Sequence, residues 1–258
     1  MKEVTSETYY KLKKQGNTRA KIAEVFEIPE WKLKKVIAKN GWGTKKRVIN
    51  NEQAFLNYSE DSCYWAGFIA ADGCMTGGVL KIMLHYDDTS HLKKFKQFVQ
   101  SSHTISSNTD KYYRSEIGFK NSQIREDLIG NFNITPNKSL TYKLPNIPEK
   151  WFKHFLRGYF DGDGCICESF SNRASITATL YTTITGSNSL IESVYSRLTS
   201  TLGITGTIQQ KPSVKIIKYN TNASIRLLDY LYADSSIYLD RKYLLYREIV
   251  VTGNRKIR

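Results

Sequence analysis

Leu156-Arg157-Gly158-Tyr159-Phe160-Asp161-Gly162-Asp163-Gly164 reads as the end of an apolar helix that stops in an acidic residue followed by glycine. An earlier stretch says nearly the same thing: Trp65-Ala66-Gly67-Phe68-Ile69-Ala70-Ala71-Asp72-Gly73. Each copy is followed by a cysteine, Cys165 and Cys74. Gly158 and Gly162 stand four residues apart, as do Gly67 and Ala71, so each helix offers a face of small residues on which a second backbone can approach closely. Packed together, the two helices form a seam between two similar halves, with Asp72 and Asp163 side by side at its foot. Gly73 and Gly164 are expected as left-handed C-caps.

Carboxylates at helix C-termini sit where the helix dipole disfavours negative charge. Two of them together repel and raise at least one pKa unless a cation intervenes. A hard divalent metal with oxygen ligands, Mg²⁺ above all, answers that need. Metals bridging a phosphate can activate water and stabilise a leaving oxygen. The rest of the chain fits a polyanionic partner. Its 258 residues carry 38 Lys+Arg against 24 Asp+Glu, a formal charge of +14. Hydrophobic residues make up 40% and aromatics 12%, so this is a folded protein rather than a basic tail. No apolar run approaches the roughly 20 residues of a membrane span, and Met1-Lys2-Glu3-Val4 opens no signal peptide. A cytoplasmic protein is expected. Cys63, Cys74, Cys165 and Cys167 show no zinc-site spacing and are read as reduced thiols, the last two on alternate positions of a strand.

The order of elements repeats. Ser59-Glu60-Asp61 caps the first motif helix. A strand over 79–86 turns Leu80, Ile82, Leu84 and Tyr86 inward, and a helix follows from Thr89 to Val99. A hairpin at about 103–119 turns Tyr113, Ile117 and Phe119 inward and Tyr112, Arg114 and Glu116 outward, and a helix spans about 121–132. The second half runs as motif helix 149–163, strands near 165–171 and 175–185, helix 188–202, strands 205–210 and 214–219, helix 222–233 and a last helix near 240–251. Each half reads α-β-β-α-β-β-α. Residues 1–45 hold two short helices, with Ile22, Ala23, Val25 and Phe26 on one face of the first and Trp31, Leu33, Val36 and Ile37 at helical spacing in the second. A tight turn at Glu27-Ile28-Pro29 joins them. The pair is similar to a helix-turn-helix with 29–39 as recognition helix. The domains expected are 1–45 helix-turn-helix-like, 46–58 linker, and the halves 59–146 and 147–258.

Phe155 to Gly164 closely resembles the motif of the LAGLIDADG homing endonuclease family in its single-chain, two-motif form. The first copy departs from it at Trp65 and Ala70, where Leu and Asp are usual. The resemblance covers about 55–258 and implies an α+β fold of two pseudo-symmetric αββαββα subdomains forming a DNA-binding saddle. It further implies Asp72 and Asp163, at the motif's eighth position, as catalytic residues and metal ligands, with Ala71 and Gly162 beside them in the metal site. Two or three Mg²⁺ ions at the seam, replaceable by Mn²⁺, are the implied cofactor. Lys138, within Pro136-Asn137-Lys138-Ser139, and Lys242, within Asp240-Arg241-Lys242-Tyr243, match the family's basic residues near the scissile phosphates.

Strand alternation supplies the candidate DNA contacts. If Ile176, Ala178 and Leu180 face inward, Ser175, Thr177, Thr179 and Tyr181 face out. By the same logic Lys81, Met83 and His85, Arg114 and Glu116, and Gln209, Lys211 and Lys215 face the groove. If residues 1–45 form a helix-turn-helix, Lys32 and Lys35 are expected to contact DNA from it. The expectation is a monomeric, site-specific endonuclease that makes double-strand breaks at a long, near-asymmetric target by metal-dependent hydrolysis. A DNA-binding regulator with an inactive core and an intron RNA maturase are the rivals. The start at Met1 without splice-junction residues favours a free protein over an intein-embedded one.

Overall fold

The computed structural model describes residues 4–42, 47–110, 112–170 and 178–254. The chain divides into two compact units, Met1–Arg47 and Val48–Arg258. Among the described residues no helix is long and apolar enough to cross a membrane.

The first unit holds α1 (Ser6–Lys14), α2 (Arg19–Val25) and α3 (Glu30–Lys39). Thr5 and Thr18 cap the first two with their side-chain oxygens. The turn between α2 and α3 passes through Glu27 at φ 57°, a left-handed position at which glycine is favoured. Tyr9, Ile22, Ala23, Phe26, Leu33 and Ile37 form the core. Two apolar residues of these helical patterns lie outside the core: Val25 is 42% and Trp31 61% exposed. The buried positions 22, 23 and 26 and then 33 and 37 follow the i, i+3, i+4 rule, and this stripe leaves residues 25 and 31 on the far side of their helices.

The second unit begins earlier than its motif. The stretch expected as a linker at 46–58 is packed from residue 49 onward: Ile49 bridges Ser101, and Ala54 and Phe55 are buried in the main core. Phe55 meets Phe98 and Phe132 edge-on, which draws this segment onto the first half. Then come α4 (Glu60–Asp72), β1 (Gly73–Thr76), β2 (Val79–His85), α5 (Thr89–Phe98), β3 (Ser106–Asn108), β4 (Arg114–Lys120) and α6 (Ser122–Phe132). The second half repeats them as α7 (Glu149–Asp163), β5 (Gly164–Ser169), β6 (Thr179–Gly186), α8 (Asn188–Leu202), β7 (Thr207–Gln210), β8 (Lys215–Tyr219) and α9 (Thr221–Tyr232), and adds α10 (Asp240–Tyr246). Both sheets are antiparallel with the same order, β1-β2-β4-β3 and β5-β6-β8-β7. This is the α+β architecture of two αββαββα halves.

Ser59 caps α4 in a reciprocal capping box with Ser62. One face of each sheet is apolar and lies against helices: Leu80, Ile82, Ile117 and Phe119 in the first, Leu180, Ile184, Ile217 and Tyr219 in the second, all buried. Tyr86 and Tyr113 depart from the inward placement expected of them. Tyr86 begins a 3-10 turn beyond β2, and Tyr113 precedes β4 at φ 44°, so neither continues its strand's alternation. Both are exposed, and Ser115 takes the inward position opposite Leu84.

Candidate active site

Helices α4 and α7 pack along their whole small-residue faces. A methyl group added at Gly158 would lie 1.9 Å from the carbonyl oxygen of Tyr64, and one at Gly67 would lie 1.9 Å from that of Phe155. The two backbones therefore touch at symmetric points. At the foot of the seam a Cβ on Gly162 would fall 2.3 Å from the Ala71 methyl and 3.3 Å from Asp72 Oδ2. This brings Ala71, Asp72 and Gly162 together, with Asp163 next in chain.

Each motif helix passes straight into a strand. Gly73 (φ −85°, ψ 147°) and Gly164 (φ −89°, ψ 159°) are extended, not left-handed as expected. They are glycines for want of room: a Cβ at Gly73 would meet Ile69 at 2.6 Å, and one at Gly164 would meet the Phe160 ring at 2.3 Å. Because the chain leaves the helix in an extended form, Asp72 and Asp163 stand at the head of β1 and β5.

Both carboxylates are open to solvent on one side and crowded by protein on the others. Burial, reinforced by the charge of Asp163, pushes Asp72 up to about 6, while Lys242, Arg241 and Lys138 pull the other way. Burial also raises Asp163, opposed by a hydrogen bond from Tyr159 and by Lys138 and Lys242. The site thus holds two carboxylates that resist ionising together, beside cations that oppose the rise without cancelling it and whose hydrogen bonds are committed elsewhere.

That commitment is the main surprise about the two lysines. Lys138 is 5% exposed and donates from Nζ to the Gly73 carbonyl at 2.7 Å. Lys242 is 3% exposed and donates to the carbonyls of Phe160 (2.6 Å), Asp161 (2.8 Å) and Gly164 (2.5 Å). Each ammonium caps the C-terminal end of its own half's motif helix, where carbonyls lack helical partners and the dipole is negative. Burial lowers both lysines, Lys242 to about 8.

Asp161, which carried no signal in the sequence beyond its place in the motif, is fully buried and multiply bonded. It accepts hydrogen bonds from Tyr64 (2.7 Å), Tyr232 (2.5 Å) and the Leu239 N–H (2.7 Å). The last of these fixes the start of α10, and hence Lys242. Tyr64 also meets His91 at 3.0 Å, so the network reaches from α5 to α10. Its counterpart in the first half is Ala70, so the network has no pseudo-symmetric partner. Arg157, 1% exposed, ties the top of the seam by donating to Glu60 (2.7 Å) and to the Ile237 carbonyl (2.8 Å).

The open sheet faces carry most of the outward set. In the first sheet the register aligns Lys81 with Gly118, Met83 with Glu116 and His85 with Arg114, all on the face away from the core. In the second, Thr179 and Tyr181 alternate with buried Leu180, and Gln209 lies opposite Ile216 on the same open face. Lys211 is exposed in the turn after β7. Thr177, with Ser175 and Ile176, falls outside the described residues. Lys215 does not share that face: its register partner is Gln210, it alternates with Ile217 and Tyr219, and it pairs with Glu192 of α8. The hairpin register inverts the parity that simple counting from Gln209 suggests. Lys218, overlooked in the sequence, occupies the open face instead, 4.0 Å over the Tyr181 ring. Cys165 and Cys167 lie on this face with their sulfurs 3.1 Å apart.

Two halves of this topology joined by glycine-faced helices that end in paired aspartates define a known class of fold. Residues 153–249 match the family described as LAGLIDADG-like domain. Similar solved structures include meganuclease I-SmaMI bound to uncleavable DNA with a TTGT central four (14% identity, TM-score 0.55, 74% of this chain and 89% of that one). LAGLIDADG meganuclease I-AabMI bound to uncleaved DNA gives 13% identity and a TM-score of 0.53 over 74% of this chain and 89% of that one. I-SmaMI bound to its uncleaved target in the presence of calcium ions gives 12% and 0.52 over 76% and 92%. No curated protein sequence matches the chain. The match lies within the second half, and the paired halves share the fold of the LAGLIDADG meganucleases.

The raised Asp72 pKa has a measurable consequence without any ligand. The folded state holds a proton at about 6 against an ordinary value of 3.8. It therefore binds protons more tightly than the unfolded chain, and this contribution, full below 3.8, is lost as pH rises through about 6. Asp72→Asn removes the loss. In metal-free buffer its melting temperature is expected to exceed that of the wild type at pH 7.5 and to converge with it below pH 4. A variant less stable than wild type at pH 7.5 would show that the carboxylate is not under electrostatic strain.

Proposed function

We propose that this protein is a DNA endonuclease that hydrolyses both strands of a specific duplex target with the help of divalent metal ions. The observation that carries the reading is the juxtaposition of Asp72 and Asp163 across the glycine seam. Their environment fits such ions. Among the described residues no three His, Cys, Asp or Glu side chains cluster to form a self-sufficient cage. Two carboxylates with few protein partners suit Mg²⁺, which is commonly held by one or two carboxylates together with substrate phosphates and water. Asp72 and Asp163 would hold the ions, with Ala71 and Gly162 alongside. Bound ions supply Lewis-acid activation of water and stabilise the leaving oxygen; Mg²⁺ is the first candidate and Mn²⁺ a substitute.

The protein's own residues do the rest. The seam fixes the two carboxylates relative to each other, because neither helix can shift without a backbone collision. Lys138 and Lys242 keep positive charge beside both carboxylates while bonded to the helix ends. The open faces of the two sheets present Lys81, His85, Arg114, Thr179, Tyr181, Gln209 and Lys211 to the groove, and Lys218 replaces Lys215 in that set. Both motifs reside in one chain, so the protein acts as a monomer. The N-terminal unit, with its tight α2–α3 turn, serves as a helix-turn-helix that adds DNA contacts through residues such as Lys32 and Lys35. The direct test is incubation of the full chain with DNA flanking its gene, with Mg²⁺ or with EDTA. A metal-dependent double-strand cut at one place supports the reading, and binding without cutting in every metal tried supports the inactive regulator instead.

Replacing Lys242 or Lys138 by Met is expected to slow single-turnover cleavage by roughly ten- to a thousandfold, the range for losing a positioned electrostatic donor. Affinity for target DNA should change little. Melting temperature should fall as well, because a buried helix cap is lost. A lower melting temperature at an unchanged single-turnover rate would reduce both lysines to structural helix caps.

Removing residues 1–47 should leave a folded, metal-dependent nuclease, since Val48–Arg258 is a compact unit with its own core. The shortened protein should bind more weakly, protect a shorter stretch of DNA and show a shallower salt dependence. An unchanged footprint with a lower melting temperature would make the first unit a stabilising cap.

A further inference from the structure

Helix α3 has a buried face and an exposed one. Leu33 and Ile37 are buried with Ile22, Phe26 and Tyr9 in the small core. The other side carries Trp31, 61% exposed, among the exposed Lys32, Lys34, Lys35 and Lys39. Burying an indole is among the larger apolar gains a side chain offers. A small unit that turns its only described helix-face tryptophan outward while tucking leucine and isoleucine inward therefore holds that ring for something else. Lys35 lies with Nζ 5.1 Å from the ring centroid, one turn along the helix, so the ring face is already engaged by a cation.

Three features identify the occupant. The face is cationic: its acidic residue, Glu30, is paired with Arg19 at 3.7 Å. Pro29 precedes α3 as its N-cap and the helix starts at Glu30, which puts Trp31 in the first turn. In a helix that follows a tight turn and enters a major groove, first-turn residues are those that meet base edges. Lys35 and Lys39 follow it at i+4 and i+8, spaced along the helix as cations tracking a phosphate backbone would be.

We infer that the exposed face of α3 docks on duplex DNA with Trp31 as its base-contacting residue, the indole making apolar contact with base edges while Lys32, Lys35 and Lys39 hold the flanking phosphates. This rests on the DNA-binding reading above. It goes beyond that reading in assigning sequence preference, rather than added charge alone, to the N-terminal unit, and in giving it to one residue, Trp31.

The test is binding selection by the full chain, in EDTA, from a randomised duplex DNA library, with wild type, Trp31→Ala and Trp31→Phe in parallel. Trp31 is exposed, so both variants should melt with the wild type. Wild type should enrich two blocks of sequence preference, one of which Trp31→Ala loses while keeping the other. On the enriched duplex, Trp31→Ala should bind roughly five- to a hundredfold more weakly, the range for losing recognition of one base pair. Trp31→Phe should recover part of the loss. The fluorescence quenching that DNA causes in wild type should be reduced in Trp31→Phe. If Trp31→Ala enriches both blocks with unchanged affinity, the Trp31 assignment is wrong and the DNA-binding reading stands. If wild type enriches nothing, the reading beneath it fails as well.

Discussion

Asp163→Asn should abolish double-strand cleavage in Mg²⁺ while leaving a retarded band on target DNA, and Asp72→Asn should do the same. Each aspartate ends a motif helix at the seam, and each is held at a raised pKa that a divalent cation would relieve. Asparagine keeps the shape and removes the charge that would hold the ion. A loss of at least about a thousandfold in cleavage is expected, in line with losing a group that stabilises transition-state charge. Binding should survive because the side chains proposed to meet DNA lie on the open sheet faces rather than at the seam. If Asp163→Asn cuts at the wild-type rate, the assignment of the site to these carboxylates is wrong.

The second large effect concerns the seam itself. Gly158→Ala places a methyl 1.9 Å from the Tyr64 carbonyl oxygen, and Gly67→Ala places one 1.9 Å from that of Phe155. The obstacle is backbone on a packed helix, which cannot swing aside as a side chain can. Overpacking of this kind costs about 3 kcal/mol or more, which for a unit of this size lowers the melting temperature by about 6 to 12 °C. Cleavage should fall with it, because separating the helices separates Asp72 from Asp163. Gly130→Ala in α6 is the control: nothing lies within 4 Å of its added methyl, and alanine is the better helix former. Unchanged melting of Gly158→Ala would mean that the helices do not touch as described.

How much of this was legible in the sequence depends on the range of the interaction. The seam was legible because small residues at i and i+4 act locally, and the same pattern occurs twice. Most helix and strand positions followed from periodicity: α7 and α8 span the residues expected of them. The failures share a cause. Gly73 and Gly164 looked like left-handed caps because glycine after a helix usually is one; only the packed Ile69 and Phe160 reveal that the constraint is space. Lys215 was assigned to the wrong face because parity does not survive a hairpin whose register is unknown. Strand alternation turns Tyr113 inward, but its backbone at φ 44° precedes β4 and breaks the alternation, so the ring is exposed.

The site shows the same limit. Asp72 and Asp163 are named by the motif, but Asp161 acquires its meaning from Tyr64, Tyr232 and the Leu239 N–H, all remote in the chain. Lys138 and Lys242 were placed by family resemblance near phosphates. That both spend their protons on the ends of the motif helices depends on long-range folding that no local spacing encodes.

The most direct measurement of the central claim is cleavage of a randomised duplex library by the full chain, with the DNA ends sequenced after incubation in Mg²⁺, in Mn²⁺ and in EDTA. Recurrent paired ends with one fixed stagger between strands are expected in Mg²⁺ and Mn²⁺ but not in EDTA, and none from Asp72→Asn or Asp163→Asn. Recurrent ends that persist in EDTA, or that both aspartate variants still produce, would contradict that claim.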